Sequence, residues 1–516
     1  MAEVRTANER RARRKAEASA AIPQVPWSHL RNPLPPLALA SEEQLARIND
    51  TAMRVLEELG LEFMSEEAWP ILEKHGAKVD RATGVVKFDR QLIREYVAKA
   101  PSSFTLHARD AERNLVIGGN HINFGPVGGA PHASDRERGR RPGTFGDQCE
   151  LIRLTQALNG IHYGGGTIVE AQDLPAPTRH LDQHRAQVTL SNKVWGARGI
   201  GRQRVTDAIE IARLARGISL EQAQREPLTM TIVNTNSPRR VDRELLSGLM
   251  EMAENGQAVC VTPFTLAGAM SPITIAGALA QQSAEALGVI AFCQMVKAGS
   301  PVVFGGFTSN VDMKTGAPAF GTPEYIKATI IGGQIARSYN LPYRASNVCA
   351  STSVDAQSTY ESAMSLWACV MAHTNFVHHG AGWLEGGLTA NFEKMIVDAD
   401  MIETMRAWLS PLDVSDDALA FDAIAEVAPG GHFFGAAHTM SRFENAFHRP
   451  MVSEIRTFQS WVEAGSHSAT DRATTIWKRI LDNDAAPALD PGRLEAIDAY
   501  IARRRIEIDK TGLGVA

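Results

Sequence analysis

Between residues 375 and 389 the chain reads NFVHHGAGWLEGGLT, a short apolar run entering a glycine-rich turn that carries Trp383 and Glu385. An indole face and a carboxylate both attract positive charge, so this pair suits a cationic guest. The glycines around them let a ligand or another stretch of backbone come close. The chemistry implied is the holding and aiming of a small cation, with Glu385 as candidate countercharge. Its alternative role is to cap a helix that starts near Thr389.

Seven other segments share this plan. Short apolar runs occur at 121–127, 160–169, 193–198, 228–236, 258–264, 301–308 and 341–348, and with 375–383 they make eight. Their starts lie roughly 30 to 43 residues apart, and helical patterns such as DQCELIRLTQALN and SAEALGVIAFCQMVKAG fill the gaps. Eight strand–helix units at this spacing predict an α/β protein built on a (β/α)8 TIM barrel. A doubly wound sheet alternates in the same way, but the count of eight and the lack of a GxGxxG opening favour the barrel.

The chemistry of such a barrel sits where its strands end. Those ends offer Tyr163, Asn234, Phe264, Phe307, Asn347, Val348, Trp383 and Glu385. No HxH opens the first strand, and strand-end Asp, Lys and His are scarce, so no metal site and no Schiff-base lysine is expected. His378 and His379 are neighbours in a strand and should point to opposite faces. His432 and His438, six residues apart across a glycine turn, form only a weak candidate ligand pair.

Around the barrel the sequence predicts additions. Residues 1–40 form a basic and proline-rich arm. Residues 41–115 are an α+β region in which Ser41 caps a helix that Gly60 ends and AKVDRATGVVKFD forms a hairpin. The barrel takes 116–410, and 411–516 is a helical region packed over it.

Composition narrows the class. Apolar residues make up 44% and charged residues 22%, which is ordinary for a globular protein. A net charge of −5 gives no reason to expect nucleic acid as a partner. The basic run Arg10, Arg11, Arg13, Arg14 and Lys15 reads as a solvated arm or a dock for an acidic surface. No long apolar run follows it, so neither a secretory signal nor a membrane anchor is expected. The five cysteines are odd in number and form no CxxC pair, which suits reduced thiols in the cytoplasm. A symmetric homo-oligomer is the usual expectation for such an enzyme.

Four stretches then carry a resemblance: PVVFGGFTSNVDMKTGAPAFGTPE, NLPYRASNVCASTSVDAQSTYESAM, GAGWLEGGLTANFEKMIVDADMI and GGHFFGAAHTMSRFENAFHRP. With their VDAQ, LEGGLT and GGHF…HT signatures, they resemble the trimethylamine:corrinoid methyltransferase family over roughly residues 40–505. The resemblance implies a barrel enzyme that hands a methyl group from a methylamine to the cobalt of a partner corrinoid protein. Family members acting on trimethylamine carry pyrrolysine near the end of the seventh strand. The matching place here is about Asn347–Cys349, centred on Val348, and holds ordinary residues. That implies the non-pyrrolysine branch, whose members act on quaternary amines such as glycine betaine.

The shift makes chemical sense. Methyl transfer to Co(I) needs a neutral amine to leave, and a quaternary ammonium already carries the charge that makes its leaving group neutral. The remaining task is desolvation and aim. On this reading Trp383, Phe307, Phe264, Tyr163 and Val348 surround the substrate, Glu385 supplies countercharge, and Asn234 and Asn347 fix a carboxylate tail. No cofactor is expected to be tightly bound. The corrinoid (cobalamin) belongs to a separate partner, because this chain shows no DxHxxG module. The alternatives are tetrahydrofolate as methyl acceptor, a non-catalytic binder of quaternary amines, or a metal enzyme using His378 or His379 with His432 or His438.

Overall fold

The computed structural model describes residues 22–483 and 486–511, so the basic run at Arg10–Lys15 lies outside the described residues. Seven strands pair in parallel in the order His121–Pro126, Trp195–Gly196, Thr229–Val233, Ala258–Val261, Val302–Gly305, Tyr343–Ser346 and Phe376–Ala381. Five of these junctions are regular ladders. The last strand returns to the first through a sixth, parallel but with a register shift, and so curls the sheet. The remaining gap, between the first strand and Trp195, is closed by an irregular stave. There Tyr163 N donates to Phe124 O at 3.0 Å, Gly164 N to Val194 O at 2.7 Å, and Gly196 N to Gly165 O at 2.6 Å. A helix follows each of the eight staves, from Phe145–Ala157 after the first to Phe392–Trp408 after the last. The (β/α)8 architecture is therefore present, and the second predicted strand is the one that is not regular.

The glycines explain that exception. A Cβ on Gly166 would sit 2.6 Å from Gly196 O, and one on Gly196 would sit 2.3 Å from the Tyr163 hydroxyl. Backbone and side chain approach too closely here for any larger residue. Gly196→Ala is expected to destabilise the protein by about 1–3 kcal/mol through overpacking. A urea-unfolding midpoint equal to wild type contradicts this account.

Several additions hold the barrel. The hairpin of Ser103–Leu106 and Leu115–Gly118 plugs the lower end, where Leu106, Leu115 and Ile117 pack with Met230, Val303 and Phe376 from inside the barrel. Ser41 caps helix Glu42–Arg54 in a reciprocal box with Gln44, and Lys78–Asp80 pairs with Val85–Lys87 as a hairpin, as read from the sequence. Residues 22–40 run extended along the outside. Val25 N donates to Glu403 at 2.8 Å, and Ala40 N to Gln334 Oε1 at 2.9 Å. Helix Ile275–Val296 is long and apolar enough to cross a membrane, but most of it is buried against helices Glu42–Arg54 and Arg90–Val97. Its apolarity on all sides is that of a core helix.

Helix Phe392–Trp408 ties these parts together through buried carboxylates. Glu393 accepts from Trp477 Nε1 at 2.9 Å, Asp398 from Gly382 N at 2.9 Å, and Asp400 from the backbone N–H of Met451. With Glu403 on Val25, each acid serves a different segment. A buried carboxylate without such partners would be costly, so these contacts fix where each segment sits.

Two ribbons rise beyond the barrel mouth. Phe264–Ala267 and Phe307–Val311 extend the fifth and sixth staves as a parallel pair, with Phe264 opposite Phe307. On the other side Trp383–Leu384 pairs with Thr389–Asn391, which in turn pairs with His132–Asp135.

Candidate functional site

A cavity of ≈ 1000 Å³ opens at the C-terminal ends of the staves. Tyr163, Met230 and Ile232 line its depth, Asn234 its rim, and Phe264 and His378 the side toward the last staves. A hollow of ≈ 740 Å³ at the opposite end includes Asn120, Arg337 and Asn375. There the Asn375 amide is spent on the carbonyls of Gly119 and His121, at 2.9 and 3.0 Å, so it is a structural brace rather than a receptor.

Beside Phe264 lies an aromatic cluster. Phe307 stands 5.1 Å from Phe264, 5.7 Å from Phe320 and 6.0 Å from Trp383, ring centre to ring centre. Trp383 meets Phe307 and Phe320 edge to face and lies 4.2 Å from His379. The parallel ribbon pair places Phe264 and Phe307 together, while Phe320 arrives from the loop before helix Pro323–Ser338. Sequence reading missed Phe320, since nothing in GAPAFGTPE marks it as other than loop.

The two histidines depart from expectation. Regular alternation would part them, yet their ring centres are only 3.8 Å apart. The register slips between Val377 and Ala381, and His379 takes φ 58°, a left-handed conformation unusual for a residue with a side chain. This bulge turns His379 toward Trp383 while His378 faces the cavity. His379 Nδ1 accepts from Gly128 N at 3.1 Å, and His378 Nδ1 is buried without a partner.

Burial holds both imidazoles well below the usual 6.5, with the Arg344 charge adding to the shift. His162 is also pulled well down, and His184 to about 3, again mainly by burial. All four are neutral at pH 7. The unfolded chain takes up protons near pH 6.5, whereas these buried groups do not. The unfolded state then binds more protons, so stability falls as pH drops through 6.5, by about 1.4 kcal/mol per pH unit per group. The urea midpoint should therefore be clearly lower at pH 5.5 than at pH 7.5. A flat profile across that range contradicts the assignment.

The glycine-rich turn of Trp383 and Glu385 has a defined structure. Gly387, at φ 97°, lies against the Trp383 indole, where a Cβ would come within 2.5 Å of the ring. What the glycine lets close is thus the protein's own tryptophan. Trp383 Nε1 donates to Cys349 O at 3.2 Å and Cys349 Sγ to Trp383 O at 3.0 Å, which laces the seventh and eighth stave ends together. Burial pushes the Cys349 thiol up to about 12, so it is no nucleophile. Glu385 turns to the other lip, and its carboxylate oxygens accept from Arg140 Nε at 2.9 and 3.0 Å. Its charge is shared with a cation the protein already has. It does not cap the following helix, since Asn391 does.

Of the remaining candidates, Phe264, Tyr163 and Asn234 line the cavity. Phe307 and Trp383 belong to the aromatic cluster next to it. Asn347 and Val348 are fully buried and are not among the cavity's lining residues. Asn347 Nδ2 donates to Gly380 O at 2.9 Å, bracing adjacent stave ends. His432 is exposed and His438 half-buried in the C-terminal region, with His438 Nε2 3.3 Å from Asp417 O.

Besides Phe320, two charged groups escaped sequence reading. Glu285, buried on the long helix, accepts from Ser237 Oγ at 2.6 Å and Arg239 N at 2.9 Å, and holds the loop beyond Asn234. Arg344 lies within the seventh stave and is buried inside the barrel. A lone charge in an apolar strand was the available signal for it.

A family model for trimethylamine methyltransferase (MTTB) matches residues 6–509. The glycine betaine methyltransferase of Desulfitobacterium hafniense (strain Y51) is 34% identical over 92% of this chain and 98% of its own. The trimethylamine methyltransferase MttB of Desulfitobacterium hafniense (strain DSM 10664 / DCB-2) is 28% identical over 87% of this chain and 90% of its own. A solved MtmB–hydroxylamine complex aligns over 88% of this chain and 94% of that one, with a TM-score of 0.45 and 10% identity, too distant to add to the fold described above. With the family model spanning almost the whole sequence, the chain belongs to the trimethylamine methyltransferase family.

Proposed function

We propose that this methyltransferase demethylates a quaternary amine and passes the methyl group to the cobalt of a separate corrinoid protein. The observation that carries this is the aromatic wall at the mouth of the barrel, Phe264 with Phe307, Phe320 and Trp383 around it. Such rings hold a methylated ammonium by cation–π attraction, on the order of 1–2 kcal/mol each once water is excluded. Support comes also from the relative named for glycine betaine, and from the ordinary residues Asn347–Cys349 at the seventh stave end.

The chain's own part is binding and aim. The nearby histidines are neutral and Cys349 is a protonated thiol, so the wall provides little acid–base chemistry. None is needed, because a quaternary amine leaves as a neutral tertiary amine. The corrinoid, bound to its own protein, supplies the Co(I) nucleophile. The cavity opens toward solvent at the stave ends, which leaves an approach for that acceptor.

The test is single-turnover transfer with a panel of quaternary amines and reduced corrinoid protein, followed by the methylcobalamin spectrum. Methylcobalamin is expected only when amine, enzyme and reduced corrinoid are all present. Transfer to tetrahydrofolate instead, or binding without transfer to either acceptor, overturns the proposal.

A further inference from the structure

Arg344 is a buried guanidinium with almost nothing to hold. Its residue exposure is 2%, and among the described residues it forms no ion pair. Of its five N–H donors one makes a long contact, Nη1 to Gly306 O at 3.4 Å, and Nε has no partner. The titratable groups that act on it most are Cys260, Tyr325, Tyr343 and Cys369, all neutral at ordinary pH. The other buried basic groups contrast sharply. Lys193 donates to three backbone carbonyls, Lys394 pairs with Asp398, and Arg406 pairs with Glu403. An isolated buried charge is costly, so a site that keeps one is short of an anion.

The geometry says where that anion belongs. Arg344 Cζ lies 5.0 Å from the centre of the Phe307 ring, so its flat face is covered and its edge donors are left for a planar, two-oxygen partner. Arg344 is not itself among the cavity's lining residues, but His378, on which its charge acts, lines the cavity and keeps Nδ1 unpartnered. Phe307 in turn touches Phe264, Phe320 and Trp383. The guanidinium and the aromatic wall are therefore about one side chain apart.

That juxtaposition restricts the substrate. A bare cation against the aromatic wall would face an unscreened guanidinium, and like charges at this range in a dry site repel. A molecule with a carboxylate close to its methylated nitrogen removes the conflict, because the anion lies toward Arg344 and the cation toward the rings.

We propose that Arg344 is the receptor for the carboxylate of the substrate, so that this enzyme takes quaternary ammonium carboxylates rather than simple quaternary cations. This assigns to Arg344 the tail-holding role expected of Asn234 and Asn347, and it rests on the quaternary-amine reading above. Calorimetry tests it with three probes: glycine betaine, choline and tetramethylammonium. Wild-type protein should bind glycine betaine at least about 100-fold more tightly than either carboxylate-free cation, since a site built for a charged hydrogen-bonding group rejects analogues lacking it. Arg344→Met should remove most of that preference by weakening betaine alone, and Arg344→Lys should restore part of it.

Equal wild-type affinity for all three probes overturns the inference and leaves the quaternary-amine reading standing. A folded Arg344→Met that retains the wild-type preference does the same. A wild type that binds none of them overturns both together. The wild-type comparison needs no variant, so it decides even if Arg344→Met does not fold.

Discussion

Replacing Lys394 with methionine is expected to cost about 3–5 kcal/mol of stability, among the largest single effects in the molecule. Lys394 and Asp398 are one turn apart on helix Phe392–Trp408, and both side chains are wholly buried. Lys394 Nζ also donates to Ser362 Oγ at 2.7 Å, and Asp398 Oδ2 receives Gly382 N at 2.9 Å. Burial pushes the Asp398 carboxyl up, and the lysine works against that shift. Without Lys394 the acid is left in the core with no cation. The double variant Lys394→Met/Asp398→Leu removes both charges and should recover much of the loss. What remains is the orphaned Gly382 N–H, about 1–3 kcal/mol. Urea unfolding of both variants checks this. A double variant no more stable than Lys394→Met removes the ion pair from the explanation. Because Gly382 leads directly into Trp383, methyl transfer should fall along with stability.

The architecture was legible because it rests on local signals. Apolar runs 30 to 43 residues apart and helix caps such as Ser41 need no distant partner to be recognised. The site was less legible for physical reasons that differ from residue to residue. Regular strand geometry predicts opposite faces for His378 and His379, and a register slip set by neighbouring staves defeats it. Glu385 looked like free countercharge because Arg140, far away in sequence, cannot be seen beside it. Asn347 has the right chemistry for a carboxylate, but its amide is drawn to Gly380 O. Arg344 was visible as a letter; its lack of a partner was not. Periodicity reports which way a side chain faces, whereas function here depends on which polar groups remain unpaired. That second quantity is a property of the folded whole.

The turn of Trp383 and Glu385 offers a way to separate shape from charge. Trp383→Leu is expected to lower the kcat/KM of methyl transfer at least about 10-fold, the loss of one desolvated cation–π contact or of the wall that forms it. It should also cost about 3–5 kcal/mol of stability, since a buried indole is replaced by a smaller group. The hydrogen bond to Cys349 O goes too, which loosens the lacing between the last two stave ends. Trp383→Phe keeps a ring in the cluster and loses mainly that bond, so its kcat/KM should lie between the two. Glu385→Gln should behave differently. Its carboxylate is already balanced by Arg140 at the partly exposed lip, and such pairs contribute about 0–1 kcal/mol. Removing the charge should change kcat/KM less than about 3-fold if the cation is held by rings and by its own carboxylate on Arg344. If instead Glu385→Gln is the more damaging change, with a raised KM and unchanged kcat, then the turn acts through its charge. The substrate would lie on the Arg140 side of the mouth, and the aromatic cluster would be core.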